Sequence, residues 1–96
     1  MPKGAGPGKA LVLRLYVAGR APNSMLAIAN ATAICDQHFA DGYTLEIVDL
    51  LVEPQRGMAD GVIVTPTLLK LAPKPLQRLI GNLSDTARVL LTLVRS

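Results

Sequence analysis

Tryptophan is absent from this 96-residue chain, and two Tyr and one Phe supply all of its aromatic surface. Modules that grip nucleic acid need stacking aromatics beside a dense basic stripe. Here the net charge is +3, and Arg14, Arg20, Arg56, Lys70, Lys74, Arg78, Arg88 and Arg95 are scattered along the chain. No nucleic acid is expected as a partner. The single cysteine, Cys35, excludes an intramolecular disulfide and a two-cysteine redox centre. With one histidine, His38, it cannot build a zinc site unaided. No metal and no cofactor is expected. No apolar run approaches the roughly 20 residues that cross a membrane. Residues 1–9 lack the apolar segment of a signal peptide. No membrane partner is therefore expected, and a cytoplasmic location follows by default.

What is present is aliphatic. Half of the residues are apolar, enough for one small domain with a core and no staples. Residues 1–9, rich in Gly and Pro, read as a flexible tail, and residues 10–96 as the domain. Leu11 to Ala18 is nearly all apolar, as a strand buried on both faces should be. Gly19 ends it, and Asn23 or Ser24 is expected to cap a helix that runs to about Phe39. Ile28, Ala31, Cys35 and Phe39 define its apolar face.

Tyr43 to Leu50 reads as a second strand, parallel to the first across the intervening helix. Glu53-Pro54 opens a short helix to about Ala59, because proline suits a first turn. Val62 to Leu71 reads as a third strand and Leu76 to Ile80 as a fourth, joined by the turn Ala72-Pro73-Lys74-Pro75. Ser84 is expected to cap a last helix, with Asp85 in its first turn and Arg95 in its last. Ala87, Leu90, Leu91 and Val94 share one face of that helix, opposite Asp85, Arg88, Thr92 and Arg95.

Pro66 interrupts the third strand, where proline cannot donate to the ladder. That strand lies at an edge, the proline marks a bulge, or Thr65-Pro66 is a cis bond that turns the backbone. Other residue types that carry chemistry have structural explanations. Asp49 at a strand end reads as a turn cap, with a buried acid as the alternative. His38 near a helix end suits the helix dipole. Cys35, three turns into the first helix, reads as a small core residue. The stretch Ser24 to Cys35 contains no charged residue. Its outer face is either a soluble alanine-rich surface or an interface, with Met25, Leu26 and Ala29 as self-association candidates.

The order β-α-β-α-β-β-α, with a proline entering the third strand, resembles the thioredoxin-like arrangement, a mixed α/β sheet flanked by helices. Thioredoxins place Cys-x-x-Cys at the start of the first helix, where the dipole lowers the thiol pKa. This chain has Ala21-Pro22-Asn23-Ser24 there. A closer resemblance covers most of residues 11–95. Leu13-Arg14-Leu15-Tyr16-Val17-Ala18-Gly19, Pro22-Asn23-Ser24, Val48-Asp49-Leu50, Pro54-Gln55, Thr65-Pro66-Thr67-Leu68 and Ile80-Gly81-Asn82-Leu83-Ser84-Asp85 look like the KaiB family of circadian clock proteins.

That resemblance implies a non-catalytic regulatory adaptor that docks on a KaiC-type ATPase and alters its phosphorylation cycle. It implies partner-binding residues in the segment Val52 to Gly61, namely Val52, Glu53, Gln55, Arg56, Met58 and Gly61. It also implies a homo-oligomer, dimer or tetramer, and a second fold in which the latter half rearranges. Pro66, Pro73, Pro75, Gly81 and Thr92 are the expected fold determinants. Thr92-Leu93-Val94 stands where clock members carry Gly-Leu-Asp, and glycine in a helix interior costs about 0.5–1 kcal/mol against alanine. The thioredoxin-like state is therefore expected, with Thr86 to Val94 helical and Thr65-Pro66 cis. Where the family carries lysines on its ATPase-facing surface, this chain has Glu46 and Gly61. The rival readings are a thioredoxin-fold redox or glutathione-linked protein using Cys35, and a module related to KaiB-like domains of histidine kinases.

Overall fold

A computed structural model describes residues 11–94, in which Leu11–Val17 (β1) forms the middle of a four-stranded sheet of order β2-β1-β3-β4. Tyr43–Asp49 (β2) runs parallel to β1, while Thr67–Ala72 (β3) and Gln77–Ile80 (β4) continue the sheet antiparallel. Pro22–His38 (α1), Pro54–Ala59 (α2) and Thr86–Val94 (α3) complete the order β-α-β-α-β-β-α. This is the thioredoxin-like arrangement, with residues 86–94 helical rather than extended. The expected tail over residues 1–9 and the expected role of Arg95 fall outside the described residues.

Alternation along β1 divides the core in two. Leu11, Leu13, Leu15 and Val17 point to one face and pack with Ala27, Ala31, Ile34 and Cys35 of α1, Val89 and Leu93 of α3, and Leu68, Leu79 and Leu83. Tyr16 points to the other face and packs with Val48, Val62 and Leu69 under α2. A strand covered on both sides must be apolar on both, which accounts for the near-continuous run in β1. Its register against β2 sets Leu13 beside Leu45, Arg14 beside Glu46 and Tyr16 beside Val48.

Pro66 is resolved by position. β3 starts at Thr67, immediately after the proline, so no ladder bond is lost. The Pro66 carbonyl still accepts the Gly81 N–H at 3.0 Å. β3 lies between β1 and β4, so the edge-strand explanation fails. Thr65-Pro66 is cis, as are Ala72-Pro73 and Lys74-Pro75 in the β3–β4 turn.

Three local expectations need correction. α1 starts at Pro22, with Ala21 as its cap and no side-chain capping bond. Proline needs no partner for its missing N–H at this position. Ser24 therefore lies inside the first turn, where it is buried and its Oγ accepts the Ala18 N–H at 3.1 Å. α1 buries Ser24, Ala27, Ala31, Ile34 and Cys35, with Ile28 and Phe39 at the margin. At the other end, Asp85 rather than Ser84 caps α3, accepting the Arg88 N–H at 3.2 Å. α3 buries Val89 and Leu93, while Ala87, Leu91 and Val94 face solvent. Val89 and Leu93 join Leu79 and the buried, left-handed Leu83 (φ 65) in the core, so the buried face is turned from the expected one.

Candidate functional site

The turns that leave β1 and β2 are locked together before α2 begins. Asp49 Oδ1 accepts the N–H groups of Gly19 and Leu51, both at 2.9 Å, so Asp49 is the turn cap and not a buried acid. Gly19 has φ 55, and a Cβ there would stand 2.8 Å from Leu51 Cδ1, so glycine permits the approach. Leu51 and Val52 are left 73 % exposed at this end of the sheet. Pro54 occupies the first turn of α2, whose buried Gly57 lets the helix sit against Leu50.

Beyond α2 the exposed apolar surface continues. Met58 is 81 % exposed and Ile63 93 %, with Val64 beside it. Thr67 Oγ1 donates to the Val64 carbonyl at 2.7 Å, and Thr67 pairs with exposed Ile80 at the end of β4. Single exposed aliphatics are ordinary on a soluble surface, whereas a group around one element marks an interaction site. Leu51, Val52, Met58, Ile63 and Val64, all exposed on α2 or next to it along the chain, make a crest that is the candidate site.

Beneath the crest lies a polar network that satisfies itself. Glu46 on β2 accepts Arg14 Nε at 2.9 Å, Arg56 Nη1 at 2.7 Å and Arg56 Nη2 at 2.9 Å. Arg14 Nη1 also reaches Asp60 Oδ2 at 3.0 Å, and Arg56 stands 3.7 Å from Glu53. Tyr16 Oη donates to Asp60 Oδ2 at 2.5 Å and lies 3.0 Å from the Arg56 carbonyl. The guanidinium groups of Arg56 and Arg14 pull the Glu46 carboxyl down to about 2. The Tyr16 hydroxyl, then Arg14, holds the Asp60 carboxyl below its usual value. Burial, reinforced by Asp60, pushes the Tyr16 phenol up.

The residues expected to bind a partner lie on or beside α2, in two environments. Val52, Gln55, Met58 and Gly61 are exposed, while Glu53 and Arg56 are half-buried and turned into ion pairs. Leu51, Ile63 and Ile80, exposed, and Arg14, Asp60, Arg78 and the enclosed Tyr16, which tie the α2 segment to the sheet, were not singled out from the sequence. The apolar pairs Leu51-Val52 and Ile63-Val64, next to turn signals, were the available hint. Met25, Leu26 and Ala29 lie exposed on α1. Cys35 is fully buried, and burial followed by the Asp36 charge pushes its thiol up to about 11. A small cavity of about 140 Å³ between the end of β4 and the start of α3 is lined by Leu79 to Asp85, Arg88 and Val89. It is below the roughly 300 Å³ at which ligand pockets begin. Among the described residues, no three His, Cys, Asp or Glu side chains gather to hold a metal, and no helix is long and apolar enough to cross a membrane.

The sequence from residue 14 to residue 94 matches the KaiB domain family. The circadian clock protein KaiB3 of Synechocystis is 49 % identical over 83 residues, covering 86 % of this chain and 81 % of that protein. The chain belongs to the KaiB family. The circadian clock oscillator protein KaiB of Prochlorococcus marinus is 46 % identical over 87 residues, covering 91 % of this chain and 73 % of its own length. Among solved structures, the N-terminal domain of Synechococcus elongatus SasA superposes with a TM-score of 0.72 at 28 % identity, covering 85 % of this chain and 79 % of that one. The thioredoxin of Trichomonas vaginalis superposes at 0.69 with 19 % identity, over 90 % and 78 % of the two chains, a likeness of fold alone. The KaiB match contains the α2 crest and its network entire.

Proposed function

We propose that this KaiB-family protein is a non-catalytic regulatory adaptor that docks on a KaiC-type ATPase and modulates its phosphorylation and ATPase cycle in the cytoplasm, for a circadian or related timing output. The observation that carries the reading is the crest of Leu51, Val52, Met58, Ile63 and Val64 around α2, exposed above charges that are already paired with one another. An apolar surface whose charges are spent internally fits a macromolecular face better than a small substrate. The clock proteins among its relatives point the same way. The test is capture of a purified KaiC-type ATPase with and without bound nucleotide. Retention in one nucleotide state is expected, and failure in both with folded protein overturns the reading.

Self-association through α1 is a second element of the proposal. Met25 and Leu26 are exposed on a helix with no charged residue from Ala21 to Cys35, so two copies can meet there without like-charge repulsion. Met25→Lys is expected to lower the mass measured by analytical ultracentrifugation. An unchanged mass removes α1 from any assembly.

A further inference from the structure

α2 has six residues, far below the roughly 12–15 at which a helix holds its shape unaided. Among the described residues, the buried apolar cluster on its face of the sheet is small: Tyr16, Val48, Val62 and Leu69, with Leu50 and Leu71 partly buried against it. Apolar packing alone is therefore a thin foundation for a docking element. The segment is held as well by polar ties to three different strands. Arg56 reaches Glu46 on β2, and Asp60 accepts Tyr16 and Arg14 from β1. Arg78 on the edge strand β4 donates to the carbonyls of Asp60 at 3.0 Å and Gly61 at 3.2 Å. Asp60 is the meeting point: its carboxylate is fixed from the sheet centre and its backbone from the sheet edge.

Met58 and Ile63, the two most exposed apolar residues of the crest, flank this anchored position. Tyr16 itself is fully enclosed, so no partner can touch it. Its phenolic proton faces the Asp60 carboxylate and the Arg56 carbonyl, and the shorter contact to the charged acceptor takes it. We infer that Tyr16 and Asp60 are positioning residues: the Tyr16–Asp60 pin holds residues 58–64 in their docking conformation and so controls affinity from beneath the contact surface. This deepens the docking reading above and rests on it for the partner, while the pin itself is measurable without one.

The experiment compares wild type, Tyr16→Phe, Asp60→Asn and the contact variant Met58→Ala. Amide hydrogen exchange over residues 56–64, thermal midpoint, and affinity for a purified KaiC-type ATPase are measured on each. Tyr16→Phe is expected to speed exchange of the Asp60, Gly61 and Val62 amides and to weaken binding by about three- to tenfold, the range expected for one lost hydrogen bond. Met58→Ala is expected to weaken binding without changing exchange. In the double variant the two losses are expected to combine to less than their product, because a loosened segment presents Met58 poorly. Unchanged exchange in both Tyr16→Phe and Asp60→Asn overturns the pin. Faster exchange with wild-type affinity in the folded protein overturns its control of docking and leaves it a structural tie only. If the wild type itself fails to bind, the docking reading fails, and the exchange arm still decides whether the pin holds the segment.

Discussion

Glu46→Gln removes the charge at the centre of the α2 network while leaving its shape, and its effect can be worked out in advance. Glu46 accepts hydrogen bonds from Arg56 and Arg14, which take its carboxyl from 4.5 down to about 2. A folded-state value below the unfolded one means that the stabilisation is complete above about pH 4.5 and disappears as the pH falls through 2. In a site closed to water that difference corresponds to about 3 kcal/mol. The Glu46 side chain is 43 % exposed, and solvent-exposed ion pairs contribute about 0.2–1 kcal/mol each. With contacts from two guanidinium groups, a loss of about 1–2 kcal/mol at pH 7 and low salt is expected. For a chain of this length that is a fall in melting temperature of roughly 4–15 °C. The assay is thermal unfolding followed by circular dichroism at pH 7 and at pH 2.5, each in low salt and in 1 M NaCl. The gap between variant and wild type is expected to shrink in high salt, where the Debye length is about 3 Å, and to narrow sharply at pH 2.5. A Gln variant as stable as wild type at pH 7, or a gap that persists undiminished in acid, would falsify the proposed linkage.

Other parts of the molecule yield sharper numbers. Leu15, fully buried in the central strand, is expected to cost about 3–5 kcal/mol as Leu15→Ala, read as a lower urea midpoint at unchanged slope; a loss under about 1 kcal/mol contradicts the packing. Asp49→Ala strips the acceptor from the Gly19 and Leu51 amides, and a loss of about 1–3 kcal/mol is expected, with faster exchange at those two amides as the local check. Cys35, enclosed and with its thiol raised to about 11, is expected to resist a thiol-specific reagent at pH 8 in native protein and to react at once in guanidinium chloride. Rapid labelling of native protein would revive the redox alternative.

Much of the fold was legible because its strongest signals are local. β1 declares itself by an apolar run that Gly19 brings to an end, α2 by Pro54 in a first turn, and the Pro66 junction by a residue that cannot sit inside a ladder. The failures also have local causes. Asn23 and Ser24 are good caps in isolation, but Pro22 admits the chain to the helix earlier and Ser24 turns inward. α3 carries apolar residues on two neighbouring stripes, so the choice of Val89 and Leu93 is made by the core it meets. The resemblance pointed to the segment around α2, while nothing in the sequence pointed to its supports. Asp60 meets Arg14 and Tyr16 across 46 and 44 positions of sequence, and no spacing rule links residues so far apart.

The direction of the charge perturbations adds a separate argument about what the surface is for. An acid–base catalyst is useful when its pKa approaches the working pH. Each resolved group under α2 is moved the other way: Glu46 and Asp60 fall, while Tyr16, Arg14 and Arg56 rise. Near neutral pH all of them are fixed in one protonation state, which suits ties that must not flicker and is poor equipment for proton transfer. On the opposite side of the sheet, the start of α1, where thioredoxins hold a lowered thiol, carries the uncharged run Ala21 to Ser24, with the Ser24 oxygen committed to the Ala18 amide. The polar side chains grouped under α2 are committed to holding it. A fixed apolar crest and a helix start without a thiol accord with the docking function proposed above.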